Sequence, residues 1–525
     1  MVVVVALAAA VFLWHGFEGV RTRLAIQRHL LTRRPGHDWP MVGGNPQFTR
    51  ATDEVIRPPL RVVWTTTPDV SRFGGIAPDS KRPVAGHPVP GNIGDPIVYR
   101  GIVYCTAATR LMALDGWSGR ILWIVPTDET EPTTRRTPPC AARGVVCCAV
   151  GKVVYAFDAR TGKRLWKRPL PIREDVAGYV AAPVLMDGGL VAVGFDDDGS
   201  GRGLVVSALD LKDGREVWRM PPRDAVRGDS GWRRATENGQ EVWYLPPDGK
   251  LDGYGPSAGG VLYANSSEVA FPKAGSEVTD VDPATGKRVP VSPETALRGH
   301  GIIAIDGRSG RILWERPFQA KGRLVGDGSL SLMDVRRNRL YGHAIVHATA
   351  WVVAFGIGER NVVWREPSIG RQRLWPKPGP RVLDILYDTS VIDMVLTEDT
   401  VGVVTNVRPD YRHGLVDFTC VSGIDAASGR LLWRLVGDGG AGQSAVAATP
   451  VREGSIVACG HLLYGFAVGK ALAFETRTGN VLWDSIRGPA PLRSGAFTGV
   501  NRAAVSRGRI FLSNGSDIVA LDGSR

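Results

Sequence analysis

Cysteine is scarce. Six residues in a chain of 525, Cys105, Cys140, Cys147, Cys148, Cys420 and Cys459, are far too few for a disulfide scaffold and leave the redox compartment open. No Cys-x-x-Cys-His occurs, so no covalently attached c-type haem is expected. No nucleophile elbow, Walker A loop or His-Glu-x-x-His is read in the sequence, which removes the motif-based grounds for a serine hydrolase, a P-loop nucleotidase or a zinc peptidase. The lysines and arginines form no long run with interleaved aromatics, so nucleic acid is not an expected partner. The N-terminal apolar run, Met1 to Trp14, falls short of the roughly 20 residues that a transmembrane helix needs.

The formal charge is +12, and Arg21, Arg23, Arg28, Arg33 and Arg34 supply about a third of the excess, with Glu18 the one acid nearby. An apolar run followed by bases reads as a signal or anchor segment over 1–20 and a basic juxtamembrane linker over 21–37. A secretory signal carries its bases before the apolar core, whereas here they follow it; taken alone, the positive-inside rule would hold them in the cytoplasm. A start upstream of Met1 would restore a full anchor. The expectation is a helical N-terminal membrane segment with the globular part outside the cytoplasm, periplasmic or at the cell surface. With 43% hydrophobic and 22% charged residues the remainder can bury a large core, and a monomer is expected.

What the chain has in excess is glycine: 65 of 525 residues, without a Gly-X-Y period, which implies many turns and many short strands. One pattern recurs: a small residue, an apolar residue, an acid, a glycine four positions on and a tryptophan four beyond that. The acid, glycine and tryptophan are Asp115, Gly119 and Trp123; Asp158, Gly162 and Trp166; Asp210, Gly214 and Trp218; Asp306, Gly310 and Trp314; Asp425, Gly429 and Trp433; and Glu475, Gly479 and Trp483. A further copy, Ala354-Phe355 to Trp364, has lost both acid and glycine. The chain ends in mid-pattern at Ala520-Leu521-Asp522-Gly523, and Leu60 to Trp64 has the pattern's end without its beginning. The acid can accept backbone N–H groups in a turn, the glycine can take positive φ, and the flanking β-branched and aromatic residues favour strands, so each copy reads as a hairpin.

A shorter strand pair precedes each copy, as at Ile97 to Tyr104. Four strands per unit and eight repeat tryptophans, the six above with Trp64 and Trp364, predict an all-β, eight-bladed propeller of four-stranded antiparallel blades over 38–525. Its ring should close by pairing Leu60 to Trp64 with the hairpin around Ile510 to Asp522, which removes two sheet edges. Polar insertions at about 220–253 and 266–298 should project from one face. Asp282 and Gly286 imitate the pattern there, but Pro290 stands where the tryptophan would be, so no ninth blade is counted.

These residues resemble the PQQ-like, or tryptophan-docking, propeller repeat shared by quinoprotein alcohol dehydrogenases and the assembly factor BamB, over about 60–525. Trp39-Pro40 with Gly43, Gly44 and Asn45 is similar to the segment that precedes such propellers. Cys140 to Val145 resembles the dehydrogenases' stretch in which a vicinal cysteine pair precedes Arg-Gly-Val, with Pro139 in place of the partner cysteine. Cys147 and Cys148 are adjacent on a strand, point to opposite faces and are expected to be buried free thiols. The dehydrogenase resemblance implies PQQ and Ca²⁺ held by carboxylate and amide oxygens, with an aspartate base. In 255–265 the family's tyrosine and asparagine are matched by Tyr263 and Asn265, but its aspartate between Ser257 and Tyr263 is missing.

No residue is therefore assigned a catalytic or metal-ligating role. His343 and His347, four apart, and Asp196 to Gly199, which superficially resembles a calcium loop, are expected to be surface or packing histidines and a solvated turn. The expected function is a non-catalytic, BamB-like binding or assembly scaffold without cofactor. It would present loops, with Trp232 and Trp243 as a possible partner surface, to a protein or extended peptide. The alternatives are a PQQ- and Ca²⁺-dependent dehydrogenase oxidising an alcohol or sugar, and a small-ligand or polysaccharide sensor.

Overall fold

The computed structural model describes the repeat strands and their turns between residues 38 and 523. Outside the description lie 1–37 and parts of the connections, chiefly 69–92, 129–136, 221–232, 245–252, 273–278, 282–287, 291–297, 368–387, 409–417, 437–455 and 487–502. The expected N-terminal membrane segment falls among these. No helix among the described residues is long and apolar enough to cross a membrane.

Eight blades, each built on four antiparallel strands, follow one another along the chain; blade 4 carries added strands, and in blade 7 the short strand Ala51–Thr52 runs parallel to Ile456–Cys459. Blade 1 is Ile97–Tyr99, Ile102–Ala107, Arg110–Asp115 and Ile121–Pro126. Blades 2 to 7 occupy 140–169, 184–220, 253–317, 328–367, 388–436 and 456–484. Blade 8 takes three strands from 504–522 and its fourth, Arg61–Thr66, from the other end of the chain, with Trp64 opposite Ala520. The ring closes as the two half-patterns require.

In blade 1 the first three strands are wholly buried, whereas the fourth, which carries the tryptophan, is half exposed. The first strand thus lines the centre of the ring and the fourth forms its rim. The six turns that keep the acid and the glycine share one backbone bond, from the glycine amide to the carbonyl of the acid. The Asp306 carboxylate accepts the Ser309 amide and hydroxyl, each at 2.7 Å, and the Gly310 amide donates to the Asp306 carbonyl at 2.8 Å. A β-bulge then lets the residue before the tryptophan slip out of register: Ala304 faces Trp314 but Ile305 faces Ile312. That is why Leu165, Leu313, Val363 and Leu482 are apolar yet exposed on the rim.

Six of the eight repeat tryptophans lie on the turn glycine of the next blade. A Cβ placed on Gly119, Gly162, Gly214, Gly310, Gly429 or Gly479 would come within 2.5–2.9 Å of the ring of Trp64, Trp123, Trp166, Trp218, Trp364 or Trp433. In five of them, Trp64, Trp166, Trp218, Trp364 and Trp433, the indole N–H reaches the carbonyl of the residue after the acid, as from Trp218 to Gly307 at 2.9 Å and from Trp433 to Thr476 at 2.7 Å, whereas the Trp123 N–H is buried without such a bond. In blade 5, which lost acid and glycine, Arg360 takes the glycine position at φ 50° and its guanidinium lies 5.6 Å from the Trp314 ring centroid. A cation–π contact replaces the stacking on bare backbone.

The insertions depart from the expected polar loops. The middle hairpin of blade 4 is extended, Val261–Pro272 running against Arg298–Asp306. A second hairpin, Arg233–Glu237 with Gln240–Tyr244, adds to its outer end through Ala270 to Pro272. Thr279–Val281 and Arg288–Pro290 make a separate two-stranded hairpin, and no ninth blade forms from it.

Two measurements check this account of the turns. Gly214→Ala forces a side chain to φ +72° and into the Trp166 ring, and should cost about 2–4 kcal/mol; Gly508→Ala, at φ +75° with open space around it, should cost only about 1 kcal/mol by chemical denaturation. The Ser428 hydroxyl, joined by the Ser428 amide, holds the Asp425 carboxyl below its ordinary range. Its stabilisation is therefore complete above the unfolded value of about 3.9 and is lost as pH falls through the lower folded value. Asp425→Asn, which keeps an acceptor but cannot be protonated, should show a shallower fall in melting temperature between about pH 4 and 2.

Candidate functional site

The innermost strand of each blade presents a free edge of N–H and C=O groups to the ring centre, and such groups need partners. Residues 38–54 supply them as a belt that visits the blades in order. Trp39 exchanges two hydrogen bonds of 2.8 Å with Val98 of blade 1, and Ala141 of blade 2 donates to the Pro40 carbonyl at 2.8 Å. Ser257, Met333, Leu396 and Ala458, in blades 4 to 7, donate to the carbonyls of Pro46, Gln47, Thr49 and Arg50 at 2.7–3.0 Å. In blade 8 the Glu54 carboxylate accepts the amides of Arg507 and Gly508, at 2.9 and 2.6 Å. Trp39 packs on Gly44 and Phe48 on Gly43, two glycines at φ 83° and 80°, while the Asn45 amide caps Thr49. The segment singled out by Trp39, Gly43, Gly44 and Asn45 is thus the lining of one end of the central channel. It lies on the face that carries the repeat turns, because the first inner turn of each blade, such as Gly101, meets the repeat turn, such as Gly116, on that face.

The belt brings a buried ion pair with it. Arg50 Nη1 contacts Asp393 Oδ1, with the Asp393 side chain fully buried and its other oxygen accepting the Ile456 amide at 3.1 Å. A charged pair thereby fixes the belt against blades 6 and 7.

The residues that the quinoprotein resemblance points to are engaged elsewhere. Asn265 lies buried in blade 4, where its Oδ1 accepts the Leu330 amide at 3.1 Å and its Nδ2 donates to the Leu330 carbonyl at 3.5 Å. It ties blade 4 to the inner strand of blade 5. Tyr263 packs its ring 6.1 Å from that of Trp314, and burial pushes its phenol pKa up. Gly255, Ser257 and Gly259 do spell Gly-x-Ser-x-Gly, a pattern the sequence reading passed over. Ser257, however, sits on the strand Gly253–Ala258 with its hydroxyl directed to the Leu185 carbonyl at 3.4 Å and is 2% exposed, so this is no nucleophile elbow. A calcium-bound quinone needs convergent carboxylate and amide oxygens. Here the amide is taken by backbone and the aspartate is absent, so the residues do not fit that group. Among the described residues no three His, Cys, Asp or Glu side chains gather as metal ligands.

Other candidates scatter. Trp232 lies outside the described residues, and Trp243 is on the strand Gln240–Tyr244, its backbone opposite Phe271. His343 is on a strand of blade 5 opposite Val352, and His347 lies outside the described residues. Asp196, expected in a solvated turn, is instead buried, and the Asp197 carbonyl accepts the Arg173 amide at 3.2 Å. Cys147 and Cys148 point to opposite sides of blade 2, one into the core shared with blade 3 and the other into that shared with blade 1, and all six thiols are buried and unbridged. A cleft of about 410 Å³ opens on the turn face between blades 3 and 4, lined by Asp187, Ser257, Gly259, Gly260, Asp306 and Arg308.

A family model described as outer membrane protein assembly factor BamB matches residues 61–240, 151–296 and 299–524. The chain belongs to the PQQ-like propeller family. Among solved structures it is similar to the quinohemoprotein alcohol dehydrogenase of Comamonas testosteroni, at 14% identity and a TM-score of 0.57 over 97% of this chain and 85% of that one. A europium-containing methanol dehydrogenase is similar at 15% identity and a TM-score of 0.52, over 86% and 85%. At such identities the likeness is one of fold. No curated protein matches the chain.

Sequence reasoning missed the residues that join blades beside the tryptophans. The hydroxyls of Tyr104 and Tyr341 reach Ala159 and Ala426 in the next blade at 2.8 and 3.0 Å, and that of Tyr464 reaches Ile56. Burial pushes the pKa of all three phenols up and keeps them protonated donors. Arg509 and Arg339 bridge in the same direction, to Trp117 and Ala427 at 2.6 Å. The signal was there in the recurring Val-Tyr and Leu-Tyr pairs at 103–104, 262–263, 340–341 and 463–464. For the belt, Arg50→Ala should cost about 3 kcal/mol in chemical denaturation because it strands Asp393. Adding Asp393→Asn, which removes the charge and keeps an acceptor for Ile456, should recover part of the loss.

Proposed function

We propose that this propeller is a non-catalytic binding or assembly scaffold at the cell envelope, held to a membrane through its N-terminal residues, that engages a protein partner or extended peptide. What carries the reading is the use of Asn265: its amide holds the backbone of the neighbouring blade where a dehydrogenase would need it for cofactor. The family's match to an assembly factor supports it.

The binding face lies opposite the belt. The belt and the repeat turns occupy one face, so the long hairpin of blade 4 and its added strands run toward the other. Among the described residues, strand Arg233–Glu237 pairs on one side only, with Gln240–Tyr244. An edge of this kind accepts an extended peptide by main-chain hydrogen bonding.

A thermal-shift titration of the full chain with PQQ, with and without Ca²⁺, should leave the melting temperature unchanged, since a ligand that binds only the folded state must raise it. A saturable, Ca²⁺-dependent rise would overturn the scaffold reading in favour of the dehydrogenase. In the intact chain a photoreactive group at position 270, on the strand beside the added hairpin, should cross-link membrane-associated partners; deletion of 233–244 should abolish that cross-link while keeping the melting temperature, and a cross-link that survives the deletion would overturn this edge as the binding surface.

A further inference from the structure

We propose that Cys140 and Cys147 are a disulfide-forming pair that joins the innermost strand of blade 2 to its neighbour. Of the six cysteines, these two stand directly opposite each other, Cys140 on the strand Cys140–Ala142 and Cys147 on Val145–Val150. The hairpin between them turns at Arg143-Gly144, at φ 51° and 83°. A two-residue turn of this kind makes Ala142 and Val145 a pair that exchanges both backbone hydrogen bonds. By the alternation of the ladder Cys140 and Cys147 are again such a pair, with Cα atoms about 5.5 Å apart, inside the window of about 4.4–6.8 Å that a disulfide spans. Both side chains enter the same core, between blades 2 and 3, and both are fully buried.

The other thiols have no such partner. Cys148 enters the core on the opposite side of the blade, and Cys105, Cys420 and Cys459 face Met112, Thr405 and Leu462 across their strands. The bridge has a place to act. Ala141, between the paired strand ends, donates to the Pro40 carbonyl, and Met41 of the belt packs in the same core as the two cysteines. A bond there staples the strand on which the belt docks.

The oxidant is an external disulfide of low molecular weight or on a folding catalyst. One thiolate attacks it, forming a mixed disulfide and releasing one thiol; the second thiolate attacks the protein sulfur of that mixed disulfide and releases the other thiol. Two protons leave the cysteines and two electrons reduce the external disulfide. In the folded chain the contact with Cys140, with burial, holds the Cys147 thiol protonated well above its ordinary range. Exchange therefore belongs to folding, before blade 3 covers the pair.

The test is refolding of the full chain in a mixture of oxidised and reduced glutathione, followed by alkylation in denaturant and tryptic digestion, which cuts after Arg136, Arg143 and Lys152. Peptides 137–143 and 144–152 should appear joined, two hydrogens lighter than their sum, with Cys148 alkylated. The link should persist in Cys148→Ala and vanish in Cys147→Ala. Recovery of both peptides fully alkylated from the refolded wild type would overturn the proposal, as would a link that survives Cys147→Ala.

Discussion

An indole ring resting on a bare glycine backbone is the contact on which this ring of blades depends. The turn glycine is held at positive φ by an acid that takes up the turn's amides, and the preceding blade offers a tryptophan whose N–H, as at Trp218, finds the adjacent carbonyl. A small residue must lie across the strand from the tryptophan; at Gly423 even a Cβ would fall 2.3 Å from the Trp433 ring. Because the contact joins each sheet to its successor, blade packing is a chain of nearest-neighbour interactions, as in other repeat architectures. Blade 5 shows the tolerance of the scheme, since Arg360 can replace the glycine only by covering Trp314 with its guanidinium.

Nearest-neighbour docking leaves the inner edges of the sheets without partners, and the belt answers that need. Its carbonyls accept one amide after another from the innermost strands, and its two ends are held by side-chain carboxylates, Asp38 at the Arg100 amide and Glu54 at Arg507 and Gly508. The N-terminal segment and the closing strand Arg61–Thr66 therefore tie the two ends of the chain together twice, at the centre of the ring and at its rim. The blade 4 ribbon extends from the other face.

The fold was largely legible in the residues, the site much less so. Asp306, Gly310 and Trp314 announce a hairpin by their spacing alone, because turn chemistry acts within a few residues. Asn265 looks the same in sequence whether it holds a cofactor or the Leu330 backbone, 65 residues away. Ser257 carries a catalytic-looking pattern whose context, a strand in place of a strand-to-helix turn, only the fold supplies. The insertions read as polar loops because their composition is polar, yet cross-strand pairing with Val261–Pro272 makes them sheet.

By itself the sequence determined the number of blades, the place of every repeat turn and the way the ring closes, since each rests on short-range spacing and on two half-patterns that complete one another. Only the tertiary structure decided the path of the belt, the engagement of Asn265 and the pairing of Cys140 with Cys147 in place of its neighbour Cys148. The physical reason is common to all three. They depend on which backbone groups and side-chain faces are brought together once the sheets have formed, and no local periodicity encodes that choice.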